Sequence, residues 1–252
     1  MLFGVLLLVG CALAAALSWL TSRTVEEDVR SRTSGSVTTV LGVIAALYAV
    51  FVAFVIVTEW QTVTDANNDV SDEAAALASA HFDASVLPEP ARTDIRTALF
   101  EYEKSVVCQE IPHLAGHASP DPRTRAALER AFEAVAAAEP TAKGSAFYTS
   151  LVAHISDVAE ARRSRVDVAS TSVPTVLILV IAVSSLVLIG IASVLDTQHR
   201  RWHIALTAAV TAVVVLNLGL VVSLARPFDG AASVSDAPLR EGVDPALLAC
   251  DR

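Results

Sequence analysis

The stretch SVTTVLGVIAALYAVFVAFVIVTEWQTVTDANNDVSDEAAAL, residues 36–77, decides the fold. Residues 37–57 carry no charge, and as a helix they are long enough to cross a hydrocarbon core of about 30 Å. Beyond Glu59 and Trp60 the apolar residues thin to Val63, Ala66, Val70, Ala74 and Leu77, a three-four spacing that keeps one face of a continuing helix apolar. The expectation is one helix that begins as a membrane span and goes on as a stalk in water.

The rest of the 252-residue chain suits a membrane protein: 54% of it is hydrophobic and its mean hydropathy is +0.55. The formal charge of −9 lies mostly in the polar segments and argues against nucleic acid as a partner, because phosphates need basic surfaces. The lipid bilayer is the partner that composition requires.

Outward from the organising stretch, an all-α chain with four transmembrane helices is expected. Residues 1–20 are the first span. They are apolar throughout and lack the basic start and the cleavage site of a secretory signal. A short basic loop, 21–36, with Arg23, Arg30 and Arg32, leads to the second span at 37–58. Residues 59–172 form an aqueous helical domain, an antiparallel bundle between spans two and three in which both spans extend as stalks. The third span is 173–195, a basic turn at 196–203 holds Arg200 and Arg201, the fourth span is 204–225, and 226–252 is a loosely ordered tail.

Within the aqueous domain, prolines punctuate the helices. Pro88 and Pro90 separate the stalk from a helix over 91–110, whose Ile95, Leu99, Tyr102 and Val106 make one stripe and which Pro112 ends. A third helix follows Pro122 with Leu128, Phe132 and Val135 inward and stops before Pro140. A fourth starts near Ser145, turns Phe147, Leu151, Ile155 and Val158 inward, and returns to the membrane. Positive charge near short loops marks the cytoplasmic side, so the arginines of both loops put the helical domain and both termini outside the cytoplasm. There Cys108 and Cys250 either form a disulfide or remain two free thiols.

Helical geometry also sorts the charges. At about 100° per residue, Glu59 and Glu73 fall on the apolar side of the stalk, whereas Asp65, Asp69 and Asp72 fall opposite as a solvated face. On the returning helix Arg162 and Arg165 line up with Leu151, Ile155 and Val158. A charge in an apolar seam is costly unless matched, so Glu73 is expected to pair with Arg162 or Arg165.

Other polar groups carry two readings each. Glu59 and Trp60 mark a water–lipid boundary or, repeated around an oligomer axis, a cation-attracting mouth. Phe51 and Phe54, with Leu47 and Val55, either pack against neighbouring helices or line a dewetting constriction. Asn217, inside the fourth span, is expected to face another helix. His113 and His117 stand four apart, but Pro112 and Gly116 are expected to spoil the helix that would align them for a metal. No nucleophile set, phosphate loop or metalloprotease motif is present, so neither an enzyme nor a cofactor is expected.

The segments YAVFVAFVIVTEW, DANNDVSDEAAAL, EYEKSVVCQEIP, ARRSRVDVA, RPFDG and VSDAPL, in that order, resemble the bacterial bestrophin-like family of four-span membrane proteins. The resemblance covers residues 42–239. Trp60, Glu73, Tyr102, Glu110, Pro112, Arg162, Pro227, Phe228 and Gly230 stand at its recurring positions, while Ile111 replaces an aromatic that often follows the acid at 110. The resemblance implies membership, and through bestrophins, which are pentameric anion channels, it implies an oligomer with a cytoplasmic helical domain. That orientation opposes the charge count, and the short loops are too small for a calcium clasp. Two functions therefore stand: a homo-oligomeric ion channel or transport-related protein, and a non-conducting sensor or scaffold whose helical domain binds a protein partner that the sequence does not identify.

Overall fold

A computed structural model describes residues 27–117, 119–170, 174–194, 200–225, 228, 234–241 and 250. The expected first span, 1–20, lies outside these residues, as does the first half of the turn at 196–203, whose second half is helical. The described chain is helical without strands. Its elements are α1 (Glu27–Val86), α2 (Ala91–Ser105), a π-turn (Val106–Glu110), α3 (Ile111–Gly116), α4 (Pro122–Ala137), α5 (Glu139–Ala142), α6 (Ala146–Ser170), α7 (Thr175–Val194), α8 (Arg200–Leu224) and α9 (Ala237–Glu241). They fall into two compact units, one of Met1–Trp60 with Val173–Ala225 and one of Gln61–Ser172 with Arg226–Arg252.

Helix α1 contributes to both units. It begins at Glu27, so the second half of the expected loop at 21–36 is helical. The reason is cooperative: extending an existing helix adds one bond per residue fixed, and no proline stands in residues 27–86 to interrupt it.

The first unit packs the start of α1 with α7 and α8. Tyr48, Val52, Val55, Ile181, Leu188, Ile189, Val214 and Val221 make its core. The Tyr48 hydroxyl lies 2.9 Å from Ser185 Oγ, and Ser185 Oγ donates to the Ile181 carbonyl at 2.7 Å. Ser185 has spent its only proton, so Tyr48 is the donor between them. Among the described residues two helices, Thr38–Val86 and Ala205–Leu224, are long and apolar enough to cross a membrane, and Val176–Ala192 is a shorter apolar helix. The opposite face of α1 is exposed among the described residues: Val40, Val43, Leu47, Val50, Phe54 and Val57 are all about half exposed or more.

The second unit lays the end of α1 antiparallel to α6. Ser164 meets Asp69 at 2.9 Å, Arg165 meets Glu73 and His154 meets Asp83 at 2.9 Å, so numbers rise on one helix as they fall on the other. Ala66, Val70 and Leu77 are buried with Leu151, Ile155 and Val158, and α2 adds Ile95, Leu99, Tyr102 and Val106. Asp121 caps α4 by accepting from the Arg123 N–H at 2.7 Å, with Pro122 in the first turn, where its missing N–H costs nothing.

Four expectations need correction. Pro112 does not end the helix after α2. The chain widens into the π-turn, in which the Ile111 N–H donates to the Val106 carbonyl, and α3 follows with Pro112 in its first turn. A proline has no N–H to continue an α-ladder and its ring crowds the carbonyl four residues back, and a local widening relieves both. Helix α3 consequently stacks the rings of His113 and His117, with centroids 4.4 Å apart.

Phe132 and Phe147 are exposed rather than inward. Ala131 and Leu151 take the buried places, and Phe147 instead meets Phe82 edge-on at 6.4 Å. The tail is not uniformly loose: Phe228, Val234 and Leu239 are buried in the second core, and the Ser235 N–H donates to Asn67 Oδ1 at 3.1 Å.

Cys108 and Cys250 are bonded to each other with Cα atoms 5.4 Å apart, joining the π-turn to the tail across 142 residues. In the chain-entropy account, closing so long a loop in the unfolded state contributes about 4–5 kcal/mol. Reductant, or Cys250→Ser, should therefore lower the unfolding midpoint of the detergent-solubilised protein, and reductant should leave the variant unchanged.

Candidate functional site

The second unit buries charges that its helices cannot leave unmatched. Glu73, Glu110 and Arg165 have no exposed side-chain surface, and Arg162 keeps 11% of its own. From α6, Arg165 Nε donates to Glu73 Oε2 at 2.8 Å and Nη2 to Glu73 Oε1 at 3.2 Å. The same Nη2 donates to Glu110 Oε2 at 2.9 Å. Arg162 holds Glu110 from its other side, Nε to Oε2 at 3.1 Å and Nη2 to Oε1. The Tyr102 hydroxyl donates to Glu73 Oε1 at 2.6 Å. Two acids and two guanidinium groups thus form one neutral network that ties α1, α6, α2 and the π-turn together.

Local geometry places each member. Arg162 and Arg165, three apart, share a helix face. Eight residues of plain α-helix would carry Glu110 about 80° past Tyr102, but the additional residue of the π-turn takes back about 100°, returning Glu110 to the Tyr102 side. The widened turn therefore delivers the second acid.

The electrostatics follow from burial. Burial opposes the Arg165 charge, but Glu73, and then Tyr102 and Glu110, outweigh it and raise its pKa, so the group is firmly cationic. Burial first, and the Glu73 charge second, push the Tyr102 phenol well above its usual value, keeping it a donor. Arg165 Nη1 is buried without a hydrogen-bond partner among the described residues.

Other sequence-selected residues are dispersed. Arg162 reaches Glu110 and not Glu73. Glu59 is half-buried, Trp60 is exposed, Phe51 packs against the first core, and Phe54 is 70% exposed. Asn217 lines an apolar cavity of about 510 Å³ with Tyr48, Val52 and Leu188. Asp69 accepts from Ser164, while Asp65 and Asp72 face solvent. No three metal-ligating side chains cluster among the described residues.

Sequence reasoning missed Glu110 as a partner, because plain helical periodicity turns it away from Tyr102. It also missed Glu103, whose position beside Tyr102 gave no periodic signal. Only 4% of Glu103 is exposed.

A bestrophin-like domain model matches residues 8–239. The chain belongs to the bestrophin-like family. The fold of this bestrophin-like protein matches that of a bacterial bestrophin homologue from Klebsiella pneumoniae at a TM-score of 0.71, with 12% identity over 98% of both chains. Two point variants of that homologue give TM-scores of 0.73 and 0.74, each at 13% identity over 98% of both chains. No curated protein matches it in sequence. It is an all-helical membrane protein of bestrophin-like fold.

Removing one member of a buried charge pair leaves the other unmatched, at a cost of about 3–5 kcal/mol. Arg165→Ala should therefore destabilise this bestrophin-like protein more than Arg162→Ala, whose side chain is partly solvated and has one acid partner. Tyr102→Phe should cost about 1.5–3 kcal/mol, the range for a hydrogen bond to a charged group. Unfolding in detergent, monitored by circular dichroism, measures all three.

Proposed function

We propose that the chain is one subunit of a homo-oligomeric ion channel, a multi-pass protein of the cell membrane with spans at 1–20, 37–58, 173–195 and 204–225. Family membership supports this reading, and the exposed face of α1 carries it. Val40, Val43, Leu47, Val50, Phe54 and Val57 alternate at three and four residues, so one straight apolar stripe stands exposed among the described residues. Around a closed ring of subunits the stripe faces neighbours or the axis, and its largest exposed residue, Phe54, forms the dewetting constriction. Glu59 sits five residues, about 1.4 helical turns, beyond it and sets the charge at the mouth.

Purified protein in planar bilayers tests this. Discrete ion-selective currents are expected. Phe54→Ala should raise the basal current, and Glu59→Gln should shift the reversal potential in a salt gradient towards anions. Silence from a well-folded oligomer would favour the second reading, a non-conducting sensor or scaffold. That reading draws on an open groove of about 1060 Å³ in the second unit, between α1 and α2.

The second unit and both termini lie outside the cytoplasm in this proposal. The arginines at 23, 30, 32, 200 and 201 support that side, and so does the Cys108–Cys250 bond, which persists in oxidising compartments. A membrane-impermeant maleimide applied to intact cells should label these cysteines only after reduction. Labelling only after lysis would reverse the assignment, whereas labelling of intact cells without reduction would keep the side and contradict the bond.

A further inference from the structure

Between α1 and α8 of the first unit runs the apolar groove of about 510 Å³. Ala45, Ala49 and Ala53 line one wall at four-residue steps, Ala209, Val213 and Asn217 line the other, and Leu188 and Ala192 of α7 complete it. Alanines at that spacing leave the α1 backbone open to the close approach of another helix. Asn217 is half-buried in the groove and makes no hydrogen bond among the described residues. In hydrocarbon an amide without a partner is costly. The groove therefore fits an apolar helix that has a small-residue face and offers backbone carbonyls where Asn217 can reach them.

We propose that residues 1–20 of the same chain fill this groove as a helix antiparallel to α1 and α8. The inference rests on the first span proposed above and assigns its seat. The segment belongs with the groove, since one compact unit takes in Met1–Trp60 and Val173–Ala225. It also reaches. Helix α1 starts at Glu27, about 15 Å before the span begins at residue 37, and the six residues 21–26 extend to about 20 Å, enough to bring residue 20 back level with residue 37. As a helix, residues 1–20 are about 30 Å long, and the α1 wall from Leu41 to Ile56 is about 22 Å, so the segment covers all of it.

The two faces of the segment are unequal. At about 100° per residue, Gly4, Cys11, Ala15 and Ser18 share one side, and Leu2, Leu6, Val9, Leu13, Leu17 and Leu20 share the other. In a bilayer small residues pack against neighbouring helices, and lipid accepts the bulky ones. The side with Cys11 therefore turns into the groove.

Counting from the loop-side ends of the spans, residues 20, 37 and 204, sets the register. Gly4 stands level with Ala53 and Ala15 with Ala209, so backbones approach closely at both ends. Leu8 stands level with Ala49 and fills the space that the alanine leaves. Asn217 stands level with residue 7, between Gly4 and Gly10, where the carbonyls of the segment are least shielded by side chains and can accept its amide. Cys11 stands level with Val213 and one residue from the height of Ala45.

Cysteine cross-linking of the full-length protein in native membranes tests the register. Cys108 and Cys250 are bonded to each other, so Cys11 is left as the thiol that an introduced cysteine can meet. Mild oxidation of Ala45→Cys and of Val213→Cys should each form a bond to Cys11 within one chain, seen as monomer mobility on a non-reducing gel, loss of both free thiols and a linked peptide in mass spectrometry. Leu47→Cys, at a similar height on the exposed stripe, should give no linked peptide with Cys11. A Cys11 bond between two chains shows a second copy in the groove and overturns the proposal. So does the absence of any Cys11 bond in the folded variants, which leaves the groove to lipid. Should neither variant fold, the wild type decides: Cys11 should react with a membrane-permeant maleimide far more slowly before denaturation than after it, and equal rates sink the assignment. Currents do not enter these measurements, so the channel reading stands or falls separately.

Discussion

The arrangement of the second unit depends on matching three fully buried charges and a fourth that is nearly buried. Glu73, Glu110, Arg162 and Arg165 arrive from three separate segments, and none is tolerable in the bundle interior without the others. Apolar packing alone would let α1 and α6 slide, since a seam of alanine, valine and isoleucine offers many similar registers. A guanidinium that must meet two carboxylates accepts only one. The network therefore acts mainly as a register constraint, and hydrophobic burial supplies most of the cohesion.

The two units solve different problems with the same helix. Where α1 packs in the first unit, the Tyr48–Ser185 hydrogen bond lies in a largely apolar core, and the outward face is apolar. Where it packs in the second, the small residues Ala66, Ala80 and Ala84 are fully buried, and the outward face carries Asp65, Asp72 and other polar groups. The outward face changes from apolar to polar along one helix without any break in the backbone.

Much of this was legible in the sequence. The three-four spacing of Val63, Ala66 and Val70 named the buried face of α1, and Pro88 with Pro90 marked the break before α2. The spacing of Arg162 and Arg165 put both on one side of α6. What periodicity could not give was the second acid, because it assumes a constant rotation per residue and the π-turn departs from it. Phe132 and Phe147 misled for another reason: small residues sit at the close contacts, and bulk is left at the rim. The tail was misread because its alanine, serine and proline content hides the isolated anchors Val234 and Leu239. At the level of family, an ordered set of short segments carried information that 12–13% identity to solved structures spreads too thinly for any one of them.

The bond between Cys108 and Cys250 makes the chain topologically a ring with a long linear arm. Everything from the π-turn through α4, α6, α7 and α8 to the tail lies inside that ring. A single protease cut in any of the intervening connections would open the ring without releasing a fragment. Severed pieces would stay tethered, and damage to a surface turn would leave the membrane helices and the bundle in one covalent body.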